Sequence, residues 1–236
     1  MKIRSLLFFI IFIQWGLLVG ITLMPLLISK KSSLWTIKLW AKGVQFISKF
    51  ILKINLEING KKNISDKPCI IAAQHQSSFE TYILFLLFKN PIFIVKESLH
   101  TIPIAGWFIK RCGAIGINRN KGLKSLKKIL CSSEQALKNN EILIIFPEGT
   151  RKIPNNDFII QSGISAIYNH CKVPVIPLSL NSGFLWGKNS FFKKSGTITF
   201  DFAEPILPGL NRKNFEKELK EKIQNKSLKL FKKFKE

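Results

Sequence analysis

Acidic residues are scarce in this 236-residue chain: 14 Asp and Glu stand against 37 Lys and Arg, a net charge of +23. That imbalance favours contact with polyanions, whether nucleic acid, anionic lipid headgroups or an acidic carrier protein. The plainer account is that the lysines only solvate the surface. Histidine is rare as well, and His75, His100 and His170 show no HxxxH or His/Cys spacing, so no metal site is expected. Cys69, Cys112, Cys131 and Cys171 form no CxxC pair and read as free thiols in a reducing compartment. No G-x-S-x-G elbow surrounds Ser77 or Ser78, which argues against a serine nucleophile. No repeat or long linker divides the chain, so its length suits one domain with attachments. What it does have is 46% hydrophobic residues beside 22% charged ones, as expected if one part sits in lipid and the rest folds in water.

The lipid-facing part is N-terminal. Ser5 to Ser29 carries no charge and is long enough to cross the roughly 30 Å hydrocarbon layer. Lys2 and Arg4 precede it. A cleaved signal peptide also starts basic, but this run is too long and Leu26-Leu27-Ile28-Ser29 lacks a small-x-small cleavage site. A retained transmembrane helix is expected. The next segment, 34–54, reads as an amphipathic helix with Lys38, Lys42, Lys49 and Lys53 on a stripe about 60° wide. Trp35, Ile37, Trp40, Val44, Ile47 and Ile51 lie off that stripe. Such a helix suits the headgroup layer; the rival reading packs it on the domain core.

Beyond residue 54 the period changes. Short Ile/Val-rich runs near 69–73, 92–95, 142–146 and 173–180 read as buried strands, with helical patterns near 79–88, 103–111, 122–138 and 162–171. This alternation predicts an α/β fold with a mainly parallel central sheet flanked by helices. Residues 197–202 read as an edge strand, and 186–195 as a polar and aromatic loop. From Asn214 onward the chain is a lysine-rich helix with Phe215, Leu219, Ile223, Leu230 and Phe234 on one side, to dock on the domain or the bilayer. The expected division is 1–54 as anchor and interfacial helix, 55–210 as the catalytic domain, and 211–236 as a basic C-terminal helix.

Two strand ends lead into motifs. After 69–73 comes Gln74-His75-Gln76-Ser77-Ser78-Phe79-Glu80, where ligand sites of α/β sheets gather. His75 and Glu80 would diverge by about 140° on a continuous helix, so they meet only if the chain turns between them. Gln76-Ser77-Ser78 supplies residues for that turn. Glu80 would then hold one imidazole nitrogen and leave the other to accept a proton from an alcohol. Ser77 and Glu80 also have the spacing of a helix capping box, and the two roles are compatible. After 142–146 comes Pro147-Glu148-Gly149-Thr150-Arg151, in which Gly149 permits close backbone approach and Arg151 offers a planar fork of donors to a phosphate.

In order, His75-x4-Glu80, Phe146-Pro-Glu-Gly-Thr-Arg151 and Val173-Pro-Val-Ile-Pro177 resemble the glycerolipid acyltransferase family of the 1-acylglycerol-3-phosphate acyltransferase type. Lys96-Glu97-Ser98-Leu99, Ile102-Pro103, Gly106-Trp107 and Gly113 to Arg119 resemble its second block. The resemblance covers roughly residues 54 to 205. It implies His75 as general base, Glu80 as the carboxylate that orients it, and Lys96, Arg119 and Arg151 as phosphate contacts. Glu148, Gly149 and Thr150 would complete the acceptor site. The implied reaction acylates the sn-2 hydroxyl of lysophosphatidate from acyl-CoA or acyl-carrier protein, with no cofactor and no nucleic-acid partner. The implied setting is the inner membrane, with the catalytic domain on its cytoplasmic face. The chain departs from the family pattern where Glu80 stands in place of the commoner Asp, and where Gln161 replaces a basic residue. Alternatives are another glycerophosphate or lysolipid acceptor, or a non-catalytic, membrane-tethered polyanion-binding protein.

Overall fold

A computed structural model describes residues 2–65, 67–118, 120, 122–152 and 158–235. The chain begins with helix α1 (Lys2–Thr22), which stops three residues before Pro25; a 3-10 turn (Met24–Ile28) follows. Ser29 then caps α2 (Lys30–Ile51), its Oγ accepting the Ser32 amide hydrogen at 3.1 Å. Lys30 and Lys31 thus form the first turn of α2. The two helices pack closely because Gly43 has no side chain: a Cβ there would stand 2.2 Å from Trp15 Nε1. The same indole donates to Trp40 O at 3.0 Å.

Lys53 adopts φ 56° and ends α2, so β1 (Ile54–Asn59) starts where the helical reading was extended. The remaining elements are β2 (Ile70–Ala73), α3 (Phe79–Leu87), β3 (Pro91–Lys96), α4 (Ala105–Arg111), β4 (Ile115–Ile117), α5 (Gly122–Lys138), β5 (Ile142–Ile145), α6 (Ser162–Cys171), β6 (Val175–Leu180), α7 (Ser182–Leu185), β7 (Gly196–Phe202) and α8 (Arg212–Lys235). The strands form one sheet in the order β1-β7-β6-β2-β5-β3-β4. From β6 to β4 all neighbours are parallel; β7 is antiparallel to β6 and parallel to β1. The expected edge position of 197–202 is therefore corrected: β7 lies inside the sheet, covered on its outer side by β1.

Strand residues alternate between two apolar cores, as period two requires. Ile71, Ala73, Phe93, Ile144, Ile176 and Leu178 face α2, α3 and α4. Ile70, Ala72, Ile92, Leu143, Ile145 and Val175 face α5, α6 and α8. In α8 the Phe215, Leu219 and Ile223 side chains are fully buried there, and Ser179 Oγ donates to Ile223 O at 2.9 Å. The Phe234 side chain lies outside the described part. The reading that packs α2 on the domain core holds for one side of the helix. Ile37, Ala41, Val44 and Ile47 pack on the domain, while Trp35, Phe46 and Phe50 stay exposed.

Helix α1 is the one described helix long and apolar enough to cross a membrane, which points to membrane association. It touches the domain near both ends. Phe8 meets Trp186 edge-on at 5.0 Å, and Gly20 lies against Ile104. Past its end, Arg111 bonds to Ile28 O and Lys30 pairs with Glu141. Leu6, Leu7, Phe9, Ile10, Ile13, Leu17, Leu18 and Ile21 remain exposed.

Candidate active site

Strand β2 sits between β6 and β5, and the chain leaves it toward β3 on one side and reaches β6 on the other. At such a reversal open α/β sheets hold their ligands, here beyond the carboxyl ends of β6, β2 and β5. Three strand-to-turn transitions meet there: Gln74–Ser78, Phe146–Lys152 and Asn181–Ser182.

The first turn is held by glutamine side chains. The Gln74 amide extends the ladder to Leu178 O at 2.9 Å, and the Leu180 amide donates to Gln74 Oε1 at 3.3 Å. Gln76 Nε2 donates to Leu180 O at 2.7 Å, and its Oε1 accepts the Gly183 amide at 3.0 Å. So anchored, the chain turns into α3 and brings His75 and Glu80 together, with Nδ1 and Oε1 2.9 Å apart. Glu80 is 0% exposed. Its Oε1 also accepts the amides of Gln76 at 2.8 Å and Ser77 at 2.7 Å; its Oε2 accepts the hydroxyls of Ser77 at 2.6 Å and Ser182 at 2.7 Å. The Ser77 amide on Glu80 Oε1 is the glutamate half of a capping box; Ser77 Oγ instead accepts the Phe79 amide at 3.0 Å and the helix N-cap is Ser78, so the capping reading holds in part beside the His75 contact.

Burial alone would push the Glu80 carboxyl up, but the His75 hydrogen bond and charge, then the Ser77 and Ser182 hydroxyls, outweigh it and hold the pKa below its ordinary value. Glu80 is therefore an anion that only accepts. The proton of the pair sits on His75 Nδ1, and Nε2 is left as the basic nitrogen. The ring is fixed from its face by Phe146, stacked at 4.1 Å between centroids.

The second turn is tied to the first through His75. The Lys152 amide donates to His75 O at 2.7 Å, and Glu148 Oε1 lies 3.5 Å from the His75 amide. Gly149 adopts φ 67°, a conformation that side chains resist, and its amide closes the turn on Phe146 O at 2.9 Å. Burial pushes the Glu148 carboxyl up to about 7, against the His75 amide and the Lys152 charge, while the Glu80 charge adds to the rise.

Of the residues singled out in the sequence, His75, Glu80, Glu148 and Gly149 converge. Arg151 immediately precedes the Lys152 contact, and its charge reaches the Tyr82 hydroxyl and the Lys193 ammonium. Thr150 lies on the same turn and is exposed. Lys96 ends β3 on the same edge, exposed and two strands away from β2, roughly 10 Å across the sheet. Arg119 lies outside the described residues.

Sequence reasoning missed Ser182, Phe146 as a ring partner, and the aromatic wall of Tyr82, Trp40, Phe12 and Trp186, whose rings meet at 4.9–6.3 Å. Ser182 had one available signal: it follows a buried strand, as His75 and Glu148 do.

A family model described as Acyltransferase matches residues 55–181. The chain is 29% identical over 200 residues to a 1-acyl-sn-glycerol-3-phosphate acyltransferase of Pseudomonas aeruginosa, covering 83% of this chain and 77% of that one. It is 26% identical over 145 residues to the enzyme of the same name from Saccharomyces cerevisiae, covering 60% of this chain and 48% of that longer protein. The crystal structure of a 1-acyl-sn-glycerophosphate (LPA) acyltransferase from Thermotoga maritima superposes with a TM-score of 0.77 at 22% identity, covering 98% of both chains. The model spans more than half of the residues and contains both motif turns: the chain belongs to the acyltransferase family.

Proposed function

We propose that this protein transfers an acyl chain from an acyl thioester to the sn-2 hydroxyl of 1-acylglycerol 3-phosphate, forming phosphatidate. The observation that carries the reading is that the His75–Glu80 pair, 2.9 Å apart, is fastened through the His75 carbonyl to Lys152, one residue beyond the cationic Arg151. A base and a phosphate-binding side chain on adjoining turns suit an acceptor with a hydroxyl near its phosphate. The named relatives support the same substrate.

In this mechanism His75 Nε2 takes the proton of the acceptor hydroxyl as its oxygen attacks the thioester carbonyl. The tetrahedral adduct collapses, the carbon–sulfur bond breaks, and the imidazolium returns the proton to the leaving thiolate. Glu80 keeps the ring oriented and stabilises its charge. Arg151 holds the phosphate, with Lys96, Arg119 and Thr150 as further contacts, and Glu148 and Gly149 place the glycerol. Fixing the phosphate beside the base makes proton removal and attack effectively unimolecular. The donor is acyl-CoA or acyl-carrier protein; the surplus of cations suits an acidic carrier. Helices α1 and α2 attach the domain to the cytoplasmic face of the inner membrane, where soluble thioesters and a membrane-borne acceptor meet.

The test offers labelled acyl thioester with lysophosphatidate, glycerol 3-phosphate or lysophosphatidylethanolamine, side by side, to the purified protein in lipid vesicles. Label should appear in phosphatidate, releasable from the sn-2 position, and only weakly in the other products. A preference for glycerol 3-phosphate or for the lysophospholipid would overturn this acceptor.

A further inference from the structure

The loop between α7 and β7 takes no part in the chemistry above, and its composition is unusual for an exposed turn. Residues 187–195 read Gly-Lys-Asn-Ser-Phe-Phe-Lys-Lys-Ser, with adjacent phenylalanines, three lysines and no acid. Phe191 and Phe192 are 43% and 49% exposed. The loop is nonetheless held in place. The Lys193 amide donates to Ser5 Oγ at 3.0 Å, the Lys194 amide to Leu185 O at 2.9 Å, and Ser190 Oγ to Phe192 O at 2.8 Å. Lys193 turns inward, its ammonium 5.1 Å from the centre of the Trp186 ring. The phenylalanines before it turn outward.

Their outward direction coincides with that of α1. The Phe191 ring lies 5.5 Å from the ring of Phe9 and 5.4 Å from that of Phe192. Phe9 is itself exposed, alongside Leu6, Ile10 and Ile13 on the same helix. One apolar surface therefore runs from α1 onto the loop, rimmed by exposed Lys188 and Lys194. Aromatic tips flanked by lysines are what the boundary between acyl chains and anionic headgroups accommodates.

We propose that the Phe191–Phe192 tip is a second membrane-inserting element, seated beside α1 at the acyl–headgroup boundary of an anionic bilayer. The proposal rests on the membrane attachment of α1 and α2 stated above. Two separate attachments prevent the domain from swivelling about its N-terminal helices. They hold the carboxyl edge of the sheet, where Ser182 begins the α7 helix that leads into this loop, toward the acceptor's own surface.

The experiment uses the full chain with exposed Cys131→Ser, half-buried Cys171→Ser and a single nitrobenzoxadiazole label at Phe192→Cys or, as the control, at exposed Phe46→Cys of α2. Vesicles of phosphatidylethanolamine and phosphatidylglycerol carry a nitroxide in the upper acyl chain. Both labels should be quenched, that at 192 only when the anionic lipid is present. Quenching at 46 without quenching at 192 overturns the proposal while leaving the membrane reading intact; a tip covered by a second protein copy gives this result. No quenching at either position overturns both. The Phe191→Ser/Phe192→Ser double variant should bind these vesicles roughly tenfold more weakly. Unchanged partitioning would also contradict the proposal.

Discussion

His75→Ala should lower kcat by about 10²–10⁴-fold, the usual worth of a positioned general base, with vesicle binding unchanged. Among the described residues no neighbour can replace the imidazole. Glu80 is fully buried and committed to five donors, so it cannot reach an acceptor beyond the strand ends. Glu148 is also buried, and its nearest described partner is the His75 amide rather than open space. Folding should survive the change, because the turn is held by Gln74, Gln76 and Glu80 and not by the imidazole. Initial rates with labelled thioester, beside a thermal melt, check both halves. A variant that keeps a tenth of the wild-type rate would remove His75 from the chemistry.

Glu80→Gln should cost nearly as much rate, about 10³-fold, although it keeps the shape of the side chain. The amide can still accept from Nδ1–H but supplies no charge to the imidazolium that forms on proton removal. Its NH2 group must also face the Ser77 and Ser182 hydroxyls, which now donate to Oε2. Losing charge-assisted hydrogen bonds at a buried site costs roughly 1.5–3 kcal/mol of stability at neutral pH. The pH dependence follows from the sign of the shift. Glu80 has a lowered pKa in the folded protein, so its contribution is present above the ordinary carboxylate range and is lost as pH falls through the folded value. The difference in Tm between wild type and variant should therefore be largest near pH 7 and shrink on acidification. A constant difference across that range would mean that the charge contributes nothing to folding.

Much of this architecture could be read in advance, for identifiable reasons. β2, β5 and β6 are buried on both faces, so their Ile/Val runs carry a strong signal. The meeting of His75 and Glu80 is local, since five residues and a turn suffice for it. β1 was overlooked although Ile54, Leu56 and Ile58 alternate with Asn55, Glu57 and Asn59, because an amphipathic helix ends just before it. That omission left β7 looking like an edge. The strand before Ser182 marks it only as a candidate, and its contact with Glu80 could not be foreseen from its own surroundings. It reaches Glu80, 102 positions earlier, because β6 pairs with β2, and strand order is a property of the whole sheet. The stacking of Phe146 on His75 depends on the pairing of β5 with β2 in the same way. Lys96 lies two strands from the pair because β5 intervenes, a spacing along the sheet that sequence order does not reveal.

The proposed reaction needs a base and a cation acting on one small headgroup, and exchanging enzyme and substrate parts together measures this most directly. Wild type and Arg151→Ala are compared on lysophosphatidate and on monoacylglycerol, which lacks the phosphate. Removing the guanidinium should lower kcat/KM for lysophosphatidate roughly 10–100-fold, mostly through KM, and leave the slow acylation of monoacylglycerol unaltered. An equal proportional loss on both acceptors, or no loss on either, would show that Arg151 does not meet the phosphate and that the two turns do not form one acceptor site.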